Sequence, residues 1–153
     1  MIIGREKELK RLRRTLSCEY SEFIAVYGRR RVGKTFLIKE AFDYSFAFQH
    51  SGLAKGDKRM QLDEFANSLE RQGMKSKRRI KSWSDAFFAL ENGLERLPAG
   101  KKVVFLDELP WMDTAKSNFV PALDHFWNGC VRFGRILSLS SAGVPRRGLS
   151  ARF

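Results

Sequence analysis

Two glycines, Gly28 and Gly33, bracket Arg29-Arg30-Arg31-Val32 and run straight into Lys34, Thr35 and Phe36. The pattern G-x-x-x-x-G-K-[ST] suits a chain that must wrap closely around phosphate groups. Glycine is needed where a Cβ would block that approach or where φ must be positive. The loop's N–H groups then converge as an anion nest, and a helix beginning at the second glycine adds unsatisfied N–H groups and a positive dipole end. Lys34 is expected to reach the β and γ phosphates, and the Thr35 hydroxyl to face Mg²⁺. A chance match in a chain of this length is roughly one in two hundred from background residue frequencies. The competing reading is a basic surface loop. In the cradle reading the three arginines contribute backbone more than side chain, and none is assigned catalysis.

A second constellation is Val103-Val104-Phe105-Leu106 followed by Asp107 and Glu108. A strand lying near the cradle strand would bring Asp107 to the outer shell of the metal, through water. Glu108 would then polarise an attacking water as general base. On its own the same string also describes a strand that ends in a turn with two solvated acids.

Both constellations need elements to hold them. Leu9, Leu12 and Leu16 recur at helical spacing over 6–16. The short apolar run 22–27 suits a strand buried on both faces, and a helix is expected from Lys34 to about Phe42. Residues 45–50 form a second strand candidate. Leu62, Phe65, Ala66 and Leu69 mark a helix ending near Gly73, and Lys75 to Lys81 reads as an exposed basic linker. Trp83, Phe87, Leu90, Leu94 and Leu97 line one face of a further helix, stopped by Pro98-Ala99-Gly100. Residues 101–108 give the clearest strand, with Pro110 ending it. Phe119, Leu123, Phe126 and Trp127 predict another helix, closed at Asn128-Gly129. Strands alternating with helices give an α/β domain with a mainly parallel sheet, in which ligands bind beyond the carboxyl ends of the strands.

Composition narrows the partners. The chain has 153 residues and a formal net charge of +12, which favours an anionic partner. Five of those charges are arginines in the acid-free segment 130–153. Cys18 and Cys130 are the only cysteines and imply neither a disulfide framework nor a metal cluster. No apolar run is long enough for a membrane helix or a signal peptide, so a cytoplasmic location is expected. His50 and His125 have no partner pattern and read as structural or surface residues.

With both motifs placed, residues 2–129 resemble the archaeal-type ATPase family within the AAA+/STAND group of P-loop NTPases. The resemblance rests on the cradle (Walker A), the acidic pair (Walker B), Leu109-Pro110-Trp111, and the opening box Ile2-Ile3-Gly4-Arg5-Glu6-Lys7-Glu8-Leu9. It implies a three-layer sandwich with ATP and Mg²⁺ as cofactors, and places Ile3, Gly4 and Arg5 beside the base or ribose. The box reads equally as a helix start with charge pairs four residues apart. The resemblance also implies a homo-oligomer or a further C-terminal domain, with an arginine finger supplied by a neighbouring subunit. The expected function is ATP binding with Mg²⁺-dependent hydrolysis in a longer form of which this chain is a truncated fragment. The alternatives are a basic nucleic-acid-binding module, ATP binding without hydrolysis, and a small-molecule phosphotransferase.

The family pattern breaks after Gly129. The resemblance calls there for a fourth core strand ending in a polar residue that senses the γ-phosphate. The segment 130–153 instead holds only a short apolar stretch at Ile136-Leu137, amid Arg, Ser and Gly. It is read as an atypical tail, either frameshifted or diverged and disordered, leaving the sheet incomplete. Ser140 or Ser141 could imitate the sensor.

Overall fold

In the computed structural model the described residues are 6–16, 23–27, 33–98, 102–130 and 136–142. The elements are α1 (Glu6–Leu16), β1 (Phe23–Tyr27), α2 (Lys34–Ala41), β2 (Phe48–Ser51), α3 (Lys58–Arg71), α4 (Trp83–Glu95), β3 (Lys102–Asp107), α5 (Leu109–Met112), α6 (Phe119–Cys130) and β4 (Ile136–Ala142). The four strands form one parallel sheet in the order β1-β4-β3-β2.

The run Val103 to Leu106 is apolar throughout because both faces of β3 are covered. Val103 and Phe105 join Leu12 of α1 and Leu37, Ile38 and Ala41 of α2 in one core. Val104 and Leu106 join the larger core of α3, α4, α5 and α6. Helices on both faces of a parallel sheet make the three-layer α/β sandwich. Phe65, fully buried, is the hub of the larger core. Its ring lies 5.3 Å from Phe48, 5.4 Å from Trp83 and 5.7 Å from Phe87, the last two edge-on.

Local chemistry sets the helix ends. The Asp57 carboxylate accepts the Met60 N–H at 2.9 Å and caps α3. Gly73, at φ 76°, turns the chain out of α3, and the Met74 N–H donates to the Leu69 carbonyl at 2.7 Å. On β2, beside α3, Gln72 occupies the backbone of Gln49. Its amide donates to the Gln49 carbonyl at 2.7 Å, and its oxygen accepts the Gln49 N–H at 3.0 Å. A side-chain amide thus supplies the two bonds a further strand would make, which blunts an open edge.

One expectation is corrected: a fourth strand does follow Gly129, since Ile136–Ala142 forms β4, paired with β1 on one side and β3 on the other, and the small four-stranded sheet of the described residues agrees with the incomplete sandwich expected. Residues 143–153 lie outside the described ones. β3 ends at Asp107, ahead of Pro110 as expected, and Leu109–Met112 then forms a helical turn with Pro110 in its first positions, where a missing N–H costs nothing. β2 is also shifted towards the C-terminus, to Phe48–Ser51. Among the described residues no helix is long and apolar enough to cross a membrane.

Phe65→Ala should destabilise the chain by about 3–5 kcal/mol, because the aromatic hub cannot collapse around the void. A urea-unfolding midpoint measured beside wild type checks this. A change within about 0.5 kcal/mol, as at an ordinary surface position, would contradict the packing described.

Candidate functional site

Gly33 sits at φ 75° and ψ 22°, in the left-handed region, at the N-cap of α2. A Cβ there would meet nothing within 4 Å, so the demand for glycine is conformational and not spatial. The Leu37 N–H donates to the Gly33 carbonyl at 2.9 Å and starts the helix. The first turn of α2 holds no acid, so its positive end is not neutralised from within. Lys34 is the first helical residue, Thr35 the second, and Phe36 is exposed on the same turn.

From the other side of the sheet, β3 ends at Asp107, which is 8% exposed. The Thr35 hydroxyl donates to Asp107 Oδ2 at 2.6 Å, across 72 positions of sequence. The other carboxylate oxygen, Oδ1, accepts the Glu108 N–H at 2.9 Å. Each oxygen of the carboxylate is therefore oriented by a hydrogen bond of its own. Glu108 is half-buried and stands at φ 56° and ψ 42°, a left-handed conformation that costs a non-glycine residue about 1–2 kcal/mol. It is held there from two directions. The Trp111 N–H donates to its carbonyl at 3.1 Å, and Gly52, leaving β2, packs against the same oxygen. A Cβ on Gly52 would lie 2.5 Å from that oxygen, and its N–H donates to the Asp107 carbonyl at 2.9 Å.

The strand register completes the row. Ser51 pairs with Asp107, Asp107 with Ser141, and Ser141 with Val26. Ser141 thus stands at the sheet's carboxyl edge between the cradle strand and the acidic strand, while Ser140 is one position deeper. Gly28, Arg29, Arg30, Arg31 and Val32 lie outside the described residues, as do Ile3, Gly4 and Arg5.

An open cleft of about 390 Å³ runs from Thr35 and Asp107 past Lys39 and His50 to Glu64 and Arg71. His50 is not a surface residue: it is 5% exposed and forms part of the cleft wall. Its Nδ1 is 2.7 Å from Ser68 Oγ, its ring meets Phe65 edge-on at 4.9 Å, and its Nε2 has no hydrogen-bond partner. Burial pushes its pKa down to about 4, with Glu64 pulling weakly upward and Arg71 adding to the decrease. Arg71 donates to Glu64 Oε1 at 2.8 Å, and that bond holds the Glu64 carboxyl below its usual range. Sequence reasoning missed Gly52, Ser68, Glu64 and Arg71 as parts of this region. A glycine just after an apolar strand was the one available signal.

The family described as an ATPase domain predominantly from Archaea matches residues 2–150. An uncharacterized protein of Methanocaldococcus jannaschii is 29% identical over 110 residues, 72% of this chain and 22% of its own length. Among solved structures, the ORC2 protein of Aeropyrum pernix, in ADPNP–ADP complexes, superposes with a TM-score of 0.59 at 18% identity. The Walker-type ATPase of Pyrococcus abyssi superposes at 0.54 and 17%. Each alignment covers 93% of this chain, and 42% and 45% of the respective structure. At such identity the likeness is one of fold, and the chain spans less than half the length of each of these three proteins.

Two outcomes test this geometry. The neutral His50 favours folding fully above pH 6.5, its unfolded value, and that contribution is lost as pH falls towards 4. Stability should drop by roughly 3 kcal/mol across that window, and His50→Gln should flatten the drop. Denaturant midpoints from pH 7 to 4 check it. Glu108→Gly should raise stability by up to about 1 kcal/mol by relieving the left-handed strain. A thermal shift downward would contradict the strain.

Proposed function

Because the chain belongs to the family of ATPase domains found predominantly in Archaea, we propose that it binds ATP with Mg²⁺ beyond the carboxyl ends of β1 and β3 and activates water through Glu108. The observation that carries this reading is the 2.6 Å bond from Thr35 to Asp107. The two residues come from separate motifs, and folding brings their oxygens together at the start of a helix whose own first turn holds no acid.

The donor set suits magnesium. A hydroxyl and one carboxylate are hard oxygen ligands, and Mg²⁺ keeps several waters and takes phosphate oxygens in preference to a protein cage. Among the described residues no group of three or more His, Cys, Asp or Glu could form such a cage. When bound, the ion would neutralise charge developing on the β and γ phosphates. Thr35 would hold it directly and Asp107 through water.

Gly28 to Gly33 would supply backbone N–H groups to the phosphates, and Lys34 a cation on the β and γ positions. Ile3, Gly4 and Arg5 would face the base or ribose. Glu108, fixed at the mouth of β3 by Gly52 and Trp111, would accept a proton from the attacking water. Ser141, in backbone register with Asp107, would serve as the polar residue that senses the γ-phosphate. We read the chain as the nucleotide-binding part of a longer ATPase whose turnover draws on a neighbouring subunit. The replication initiator DnaA, solved bound to AMPPCP and single-stranded DNA, shares the fold at a TM-score of 0.50 and 17% identity.

Calorimetric titration of the folded chain with Mg-ATP should give saturable binding, weakened about tenfold or more by Lys34→Ala. Glu108→Gln should keep that affinity and lower hydrolysis by about 10²-fold or more, the usual share of a general base. Absence of Mg-ATP binding by the folded chain would overturn the reading. Unchanged hydrolysis in the Glu108→Gln protein would overturn only the assignment of the base.

A further inference from the structure

Between α3 and α4 the chain places Lys75, Lys77, Arg78, Arg79 and Lys81, all exposed. In sequence this run looks like a solvated basic face, because it holds no aromatic residue on which a base could stack. The fold supplies what the run lacks. Phe88, from α4, is 50% exposed, and the Arg78 guanidinium lies over its ring at 5.6 Å from the centroid. The pair forms one wall of a groove of about 230 Å³ that Lys75, Lys77, Asn92 and Arg96 also line.

The run is held in shape. Met74 and Ile80 are buried in the core at its two ends. The Ser76 hydroxyl donates to the Arg78 carbonyl at 2.7 Å and accepts the Arg78 N–H at 3.2 Å. Asp85 is the one acid lining the groove, and its carboxylate accepts the Lys81 N–H at 3.0 Å. Its charge is therefore directed at the backbone. Among the described residues, only Lys75 of these cations forms an ion pair, to Glu70 at 3.8 Å, with both side chains mostly exposed. Such a pair is weak and is readily exchanged for a phosphate.

We propose that this groove and the basic run beside it form a binding surface for single-stranded nucleic acid, with phosphodiesters on Lys75, Lys77 and Arg96 in the groove and on Arg79 and Lys81 along the run, and a base stacked on the Phe88–Arg78 pair. Charge alone would serve an acidic peptide equally well. The exposed ring and the planar guanidinium beside it favour bases, and bases are free to stack only when unpaired. None of these residues touches the Thr35–Asp107 site, so the inference stands apart from the nucleotide reading.

Fluorescence anisotropy with a labelled thymidine 20-mer tests it on the whole chain. Binding should weaken as salt rises, and Lys77→Ala should reduce the slope of log affinity on log salt by about one. Phe88→Ala should weaken binding roughly fivefold or more, the loss of one stacked base, and should leave Mg-ATP binding unchanged. A duplex of the same length and a polyglutamate of matched charge should both compete poorly. Equal competition by polyglutamate, or an unaltered affinity in the Phe88→Ala protein, would overturn the proposal in favour of a general polyanion surface. No binding at low salt would overturn it outright.

Discussion

The hydrogen bond from Thr35 to Asp107 spans a gap that the sheet itself creates. β1 and β3 are not neighbours, because β4 lies between them. Two strand spacings separate them, about 10 Å. For the hydroxyl to reach the carboxylate at 2.6 Å, the start of α2 must lean across the end of β4. The site therefore depends on three strands ending at one level, and the register of β4 with both neighbours sets that level. A one-residue slip of β4 would move its pairing with both site strands and carry Ser141 out of line with Asp107.

The second half of the site is held by strain rather than by length. Glu108 adopts a left-handed conformation that a glycine would take at no cost, so the carboxylate is retained against a local penalty. The surroundings that enforce it are short-range and rigid. Gly52 brings the exit of β2 close to the Glu108 carbonyl, and the turn Leu109–Met112 begins immediately afterwards with Leu109 and Met112 buried in the larger core. The core packing that stabilises the fold thus also fixes where the Glu108 side chain emerges.

Legibility in the sequence followed how local each requirement was. β3 could be read from Val103 to Leu106 because burial on two faces leaves no polar position to confuse the pattern. The Gly33-Lys34-Thr35 corner could be read because a positive φ and a helix start act within a few residues. β4 could not. Ile-Leu-Ser-Leu-Ser-Ser-Ala is poor in bulky residues, and its place comes from backbone pairing with β1, more than a hundred residues away, and β3, more than thirty away. Gly52, Gln72 and His50 escaped for the same reason. Each matters through a contact with a residue distant in sequence, whether the Glu108 carbonyl, the Gln49 backbone or Ser68.

The valence of the Thr35 oxygen ties the fold to the proposed chemistry. A hydroxyl carries one donor hydrogen and two acceptor lone pairs. The hydrogen is already committed to Asp107, so the lone pairs of this cleft-lining residue are not used in that bond. Metal ligation by this oxygen would use a lone pair and leave the hydrogen bond intact. The carboxylate, with one oxygen on Thr35 and the other on the Glu108 N–H, keeps lone pairs free to accept from metal-bound water. The two hydrogen bonds are compatible with the proposed complex, and no donor bond has to break for the ion to bind. What binding would add is charge balance: phosphates at the positive end of α2, facing a buried carboxylate across a cation.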